Sequence, residues 1–390
     1  MACRAGFLVQ FVAVRCSSLQ FVARLDEGEA MATVPTGRVA DRHRELVAFG
    51  AFVAIAAGLL AWAKWWPYAV KIPKTANTHA LGSSILTGTG SVPPGFSLTS
   101  GLDFAHTYFL AIWPALIAGL VIGAAVTVLV PKTWLLRTLG SDGRASTLRG
   151  GLLSLPTMMC SCCAAPVVVC LRRRGASIGP ALAFWMGNPA LNPAVLAFSF
   201  FVLGWQWTAL RAGAGVLLIA SLVAFTRGRT PGVGDSLSVS TSPVTTEMNS
   251  AVAPETRPLA VRFATAFGGL SLRLLPEYLL LVVVLGALRG PLFTSGIAMQ
   301  AGILAVLSFA VAGTLLPIPT AGEIPAVAAL LTLGLSAPVP ATLLITLPAL
   351  SLPSVVMVRR DFPARVLGAA IAGVVALGLL TAVGAAVIGL

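Results

Sequence analysis

The stretch PTMMCSCCAAPVVVCLRRRG, Pro156 to Gly175, decides how this chain is read. It lies in an apolar part of the sequence, yet it gathers Cys160, Cys162 and Cys163 between Pro156 and Pro166 and ends on Arg172, Arg173 and Arg174. Proline removes an interior helix hydrogen bond, so this spacing predicts a broken helix around the thiols. The arginines must then reach water. Whether they do so on the far side of a membrane or on the side where the segment began fixes the topology of everything after it.

That a membrane is involved follows from composition. Of the 390 residues, 57% are hydrophobic and only 10% are charged, against about 25% charged in an ordinary soluble domain. Apolar runs fall at about 46–66, 106–130, 150–171, 178–203, 206–226, 264–288, 297–330, 338–357 and 366–388, several of them longer than the roughly 18 residues that mark a spanning helix. The expectation is an all-α polytopic protein of a bacterial plasma membrane. The net charge of +13 does not mark a nucleic-acid binder, because the basic residues cluster in short loops beside apolar runs, as cytoplasmic loops do. Six cysteines, half of them clustered, do not form a secreted disulfide framework. The opening MACRAGFLVQFVAVRC is a poor signal peptide. Met31 begins a more ordinary polar N-terminus, so residues 1–45 are expected to be a disordered extension, with 1–30 either disordered or an overextended start.

Loop charge tests the topology. Arg38, Arg42 and Arg44 place the N-terminus in the cytoplasm, and residues 67–105 then form an external loop that opens with an aromatic interfacial anchor of Trp62, Trp65, Trp66 and Tyr68. The second span returns to Lys132, Arg137, Arg144 and Arg149. A single crossing by 150–171 would put Arg172–Arg174 outside, against the positive-inside rule. A segment that dips in and turns back keeps them inside. The same logic makes 297–330 re-entrant from the outer face. Seven full spans and two re-entrant segments result, about 7–9 membrane segments in all.

Residues 227–262, rich in Ser, Thr, Pro and Gly in their first part, read as a flexible cytoplasmic linker. They separate a first repeat, 106–226, from a second, 263–390, preceded by the first helix and external loop at 46–105. An offset of 159 aligns Pro166 with Pro325, Gly175 with Gly334, Ser177 with Ser336, and Pro189-Ala190-Leu191 with Pro348-Ala349-Leu350. Each half has an odd number of crossings, so the repeats are expected to be inverted, a plan that recurs in secondary transporters with broken segments meeting near the midplane.

Broken backbone in lipid must be shielded or face a water-filled cavity, which makes the two broken segments the expected site. Pro156, Pro166, Pro319 and Pro325 are the expected breaks. On an ideal helix Cys160 and Cys163 share a face and Cys162 does not; in an unwound turn all three can converge. Thiolates select soft, thiophilic species, so Cys160, Cys162 and Cys163 are candidate substrate ligands. Three thiols from one turn fall short of the four ligands of a closed structural metal site, so no resident metal or other cofactor is expected. Cys170 reads as packing. Glu323, in PIPTAGEIPAV, is an isolated carboxylate in an apolar run and a candidate for proton coupling, or a cap of the helix that follows. Arg273 and Glu277 stand one turn apart and read as an ion pair, with Glu277 a second candidate for coupling. Asn188 and Asn192, in WMGNPALNPAV, share a helical face and are candidates to line a substrate path, or to bond a neighbouring helix. His106 reads as interfacial.

CSCCAAPVVVCLRRRGAS, AFWMGNPALNPAV and GEIPAV together resemble the predicted-permease family of YraQ and ArsP type, over most of residues 105–388. The resemblance places the family's cysteine motif on Cys160 and Cys162, with Cys163 an additional thiol. The family's proline stands two residues before the first cysteine; here Pro156 stands four before it. The resemblance implies a permease, not an enzyme, and its ArsP branch implies efflux of trivalent organoarsenicals. From the residues alone the cargo is a small soft or thiol-reactive solute, and with no ATP-binding motif the export is secondary-active. The competing reading is a membrane thiol-disulfide oxidoreductase using the clustered cysteines. The expected partners are the solute and the lipid bilayer, without nucleic acid.

Overall fold

The chain is described here by a computed structural model that covers residues 36–88, 94–225, 258–298 and 302–390. Among these residues every regular element is a helix. In the hydrocarbon of a membrane no water satisfies backbone groups, and a helix satisfies its own. Seven stretches are long and apolar enough to cross: His43–Thr78, Leu98–Leu129, Ile178–Leu203, Trp205–Phe225, Leu259–Phe293, Pro338–Val358 and Ala364–Val387. Two shorter apolar helices, Ile303–Leu315 and Glu323–Thr332, accompany them. The all-α polytopic class expected from composition is what the chain forms.

The first stretch departs from expectation at both ends. Helix α1 (Thr36–Leu60) begins inside the supposed N-terminal extension. It continues through a π-helical turn, Ala61–Trp65, into α2 (Trp66–Thr78). Residues 67–78 are therefore helix where a loop was expected. Pro67 follows directly on the π-helical turn, the kind of irregularity that marks a proline in a continuous helix, and Tyr68 and Ile72 gain a packing partner in Phe198 and its neighbours. Residues 1–35, and residues 227–257 of the expected linker, lie outside the described residues, and the last four residues of that linker, Leu259 to Arg262, open a helix instead of remaining flexible chain.

After a loop come α3 (Leu98–Leu129), the short α4 (Lys132–Leu139), α5 (Arg144–Ser154), α6 (Ser161–Arg173), α7 (Ile178–Ala190), α8 (Pro193–Leu203) and α9 (Trp205–Phe225). The second half supplies α10 (Leu259–Ala298), α11 (Ile303–Leu315), α12 (Glu323–Thr332), α13 (Pro338–Ala349), α14 (Leu352–Val358) and α15 (Ala364–Val387). The order long, short, short, short, short, long recurs once α4 is set aside. The starts of α5 and α11, and of α9 and α15, are each 159 residues apart. Gly175 and Gly334, at that same offset, both take positive φ, at 106° and 80°. Only glycine enters that region without strain. Asn192 and Ser351, again at that offset, are the N-cap residues of α8 and α14.

The chain between α3 and α7 ends where it began. The Ser177 N–H donates to Leu139 O at 2.7 Å, the Gly179 N–H to Asp142 Oδ1 at 2.9 Å, and Arg174 Nη2 to Val130 O at 2.6 Å. In the second half, Leu330 and Leu333 at the end of α12 share a small cavity with Phe293 of α10 and with Leu86.

Both short-helix pairs are interrupted, but upstream of two of the expected prolines. The first break runs through Leu155–Thr157, a 3-10 turn holding Pro156, to Cys160, the N-cap of α6. The second runs from Leu316 to Gly322 and holds Pro319. Pro166 is instead inside α6, and Pro325 is in the first turn of α12. Neither of these two prolines makes the break. Pro325 sits where an amide hydrogen has no helical acceptor in any case, and Pro166 is carried because α6 is wedged among buried neighbours. Met158 and Ala321, one in each break, take φ of 48° and 71°, a conformation that costs a non-glycine residue about 1–2 kcal/mol. Such strain persists only where surrounding structure holds it, and it concentrates at functional sites.

Candidate functional site

The two breaks meet. A narrow cavity of about 10 Å³ is walled by Cys160 from the first break, by Ile318 to Ala321 and Glu323 from the second, and by Pro189, Pro348 and Val195. Pro189 and Pro348 stand near the ends of α7 and α13, where these two helices also break before α8 and α14. Helix length gives the setting. Helix α6 carries the chain roughly 20 Å from Cys160 to the arginines, and α12 carries it roughly 15 Å from Glu323 to its own far end. Those distances together are close to one bilayer thickness.

The thiols divide as helix geometry requires. Cys160 Sγ and Cys163 Sγ face each other at 2.9 Å. Cys162 turns to Ser351 Oγ, at 3.2 Å, and accepts from the Tyr108 hydroxyl at 3.6 Å; Tyr278 OH in turn donates to Tyr108 OH at 3.1 Å. All three cysteines are buried. Among the described residues no group of three or more His, Cys, Asp or Glu is arranged to hold a metal ion. Close approach of α3 makes room for this turn: a Cβ on Gly119 would collide with the Cys163 carbonyl. Cys170 is buried further along α6.

Asn188 and Asn192 bond backbone at the breaks. The Asn188 carboxamide oxygen accepts from the Met159 N–H at 3.1 Å and from the Thr157 hydroxyl, and its nitrogen donates to Phe184 O at 2.8 Å. It thus holds the first break in shape. Asn192 Oδ1 accepts from the N–H groups of Ala194 and Val195, capping α8, while its buried Nδ2 has no partner.

Glu323 opens α12 and is 1% exposed. Its oxygen Oε1 lies 2.7 Å from Arg211 Nη2, and the arginine is wholly buried. Arg211 also donates to Pro189 O at 2.9 Å and to Leu344 O at 2.8 Å. By alignment, its good hydrogen bonds are those to the carbonyls, and neither Glu323 oxygen receives a well-directed donor. The pair is therefore a close contact of charges rather than a bidentate clasp. Glu323 makes no side-chain cap to the helix it opens, though a carboxylate in a first turn still complements the helix dipole.

A second buried cation comes from the first helix. Lys64, in the π-helical turn, donates to Thr320 Oγ1 at 2.9 Å and Tyr68 OH at 3.2 Å. Its neighbour Trp65 donates from the indole nitrogen to Pro156 O at 2.8 Å. This one turn therefore touches both breaks. The aromatic group expected to be an interfacial anchor has three members with partners in the protein, Trp62 against Trp113, Trp65 and Tyr68; Trp66 remains exposed. Arg211 and Lys64 are functional candidates that sequence reasoning missed. Each was a single cation near the end of an apolar run, and the available signal was the absence of any nearby acidic residue in sequence.

A family model described as a predicted permease, ArsP_1, matches residues 97–387. The chain belongs to that permease family. It is 44% identical over 338 residues to the UPF0718 protein YraQ of Escherichia coli (strain K12), covering 84% of this chain and 93% of that one. It is 29% identical over 104 residues to the UPF0718 protein MJ0584 of Methanocaldococcus jannaschii, covering 25% of this chain and 27% of that one. No solved structure matches. The permease is a multi-pass membrane transporter, and the buried cavity is its candidate site for a small molecule.

The remaining candidates of the permease lie away from that cavity. Glu277 of α10 bonds Arg359 Nη2 at 3.0 Å and Arg360 Nη2 at 3.4 Å, with Arg273 one turn earlier on the same helix. Arg173 pairs with Asp361 at 2.8 Å, and Arg172 donates to Asp361 O and Ala176 O. The basic loops after α6 and α14 therefore gather on one face, together with the end of α3. His106 is exposed.

Proposed function

We propose that this permease exports a small soft or thiol-reactive solute, with trivalent organoarsenicals as representative cargo, and that a proton drives it. The observation that carries the reading is that Cys160 and Glu323 line one buried cavity at the meeting of two broken segments. Cys160 and Cys163 supply soft donors that bind and release the solute. Glu323 supplies a carboxylate whose charge is answered by Arg211, so protonation dissolves an ion pair between the two halves of the protein. The recurrence of elements at an offset of 159, with an odd number of crossings in each half, supports inverted repeats that rock about this site. The bonds joining Val130, Leu139 and Asp142 to residues 174–179 support a first segment that re-enters. The gathered arginines support a cytoplasmic location for that face and for the N-terminus. Membership in a permease family speaks against the oxidoreductase reading.

The test is uptake of methylarsonous acid by everted membrane vesicles with an imposed pH gradient. The C160S/C163S variant should lose accumulation, and E323Q should lose gradient-driven accumulation while retaining equilibrium exchange. Normal accumulation by C160S/C163S removes the thiols from the mechanism. Normal gradient-driven accumulation by E323Q removes the carboxylate from coupling.

A further inference from the structure

The charges around the cavity do not balance. Arg211 is matched by Glu323, but among the described residues no carboxylate stands within ion-pair distance of Lys64. The Lys64 ammonium, 6% exposed, rests on two neutral hydroxyls, those of Thr320 and Tyr68. A buried, unpaired ammonium is costly, and an intramembrane charge of this kind marks a substrate path more often than a structural contact. Thr320 is on the cavity wall, so the ammonium that it accepts from stands one hydroxyl behind that wall. One more source of positive potential points the same way. Helix α6 begins at the cavity with no side-chain cap on its first N–H groups, whereas the start of α12 already carries the Glu323 carboxylate. Half-helix N-termini at broken segments bind the anionic groups of transported substrates.

We propose that Lys64, with the N-terminus of α6, makes the cavity an anion subsite, so that the solute carried past Cys160 is a small soft anion. This rests on the reading of the cavity as the transport site and narrows its substrate class. Lys64 faces the charge, and Cys160 with Cys163 faces the soft atom. The ion that satisfies both carries sulfur, selenium or trivalent arsenic next to an anionic oxygen or thiolate. The residue that confers this preference stands outside the region matched by the family model, which begins at residue 97. In the conformation described, the cavity is about 10 Å³, on the scale of one water. The walls therefore have to separate for the ion to enter, and the contacts of Lys64 and Trp65 with the two breaks are the ones that part.

The test is alkylation of Cys160 in purified full-length permease in lipid nanodiscs, followed by mass spectrometry, with thiosulfate, sulfate and methylarsonous acid as probes. Thiosulfate is a soft anion, sulfate a hard one of similar size, and methylarsonous acid is neutral. Thiosulfate should slow alkylation in the wild type and sulfate should not. K64M should bind thiosulfate roughly tenfold or more weakly, the scale of one charge-assisted hydrogen bond. K64R should retain binding, and the wild-type comparison of thiosulfate with sulfate needs no variant to fold. Equal protection by the two anions overturns the preference for a soft anion, and equal thiosulfate protection in K64M and wild type overturns the anion subsite. If methylarsonous acid alone protects, the anion subsite is overturned and the thiol site stands. If thiosulfate alone protects and depends on Lys64, the subsite stands and the arsenical cargo falls. Protection by neither probe removes both.

Discussion

The two breaks share a plan and differ in chemistry. Each interrupts a pair of short helices, each holds a non-glycine residue at positive φ, and each ends at a buried helix start. The first break is neutral. Its thiols and backbone are answered by hydroxyls and a carboxamide, those of Ser351, Tyr108, Thr157 and Asn188. The second break is charged, and its carboxylate is answered by Arg211 from the other half of the chain. Neutral groups lose little when one partner is removed. A buried charge loses much. The difference predicts that the second break governs stability, and that the first can vary its chemistry at low cost.

The largest expected effect breaks the comparison most directly. R211M leaves Glu323 buried without a counter-ion, which costs about 3–5 kcal/mol. C162S, which exchanges one small polar group for another beside Ser351, should cost less than about 1 kcal/mol. Thermal unfolding of the purified variants measures both, and equal losses would show that the two breaks are not energetically distinct. A middle-sized effect tests the paired caps. N192A and S351A remove N-caps at the 159 offset, and each should cost about 1 kcal/mol. Of the two, S351A should also lower the reactivity of Cys162, because it removes a hydroxyl that can donate to the thiolate, the form that is alkylated; unchanged alkylation of Cys162 would discount the Ser351 contact. The smallest effect lies at the basic face. Glu277 and its two arginines are 40–50% exposed, so E277Q should cost no more than about 1 kcal/mol and less at high salt. A larger loss of stability there would mean that the charges outside the cavity carry more than solvent screening allows.

What was legible in the sequence, and what was not, follows from the range of each signal. The class of fold and the seven long stretches are written in apolar run length, which acts over many residues; the division of 297–330 into two short helices is not. Glu323 stood out because a lone carboxylate between Pro319 and Pro325 is costly in an apolar run, whether it couples a proton or caps a helix. Its partner did not. Arg211 stands in WQWTALRAGAG, six residues inside its helix, where an arginine ordinarily reaches back toward the interface. Only the fold brings α12 against it. Lys64 was hidden for the same reason among Trp62, Trp65 and Trp66, a group that reads as a boundary. Pro166 misled because a proline signals a lost hydrogen bond but does not say whether packing will carry the helix through it. The burial of α6 on all sides carries it.

The Arg211–Glu323 pair also imposes an order of events on biogenesis. Arg211 leaves the ribosome about 110 residues before Glu323, a delay of roughly 5–20 s at ordinary rates of synthesis. During that interval α9 enters the membrane carrying a guanidinium whose counter-ion does not yet exist. The Pro189 carbonyl is already present and is one of the two that Arg211 bonds in the finished protein; the other, Leu344 O, arrives later still. The first half is thus inserted with one arginine held by a single native acceptor, and arrival of the second half neutralises it. Assembly of the two halves is in this sense written as a debt of charge in one and its settlement in the other, so a chain truncated after residue 225 should be a poor membrane protein even though all its spanning helices are complete.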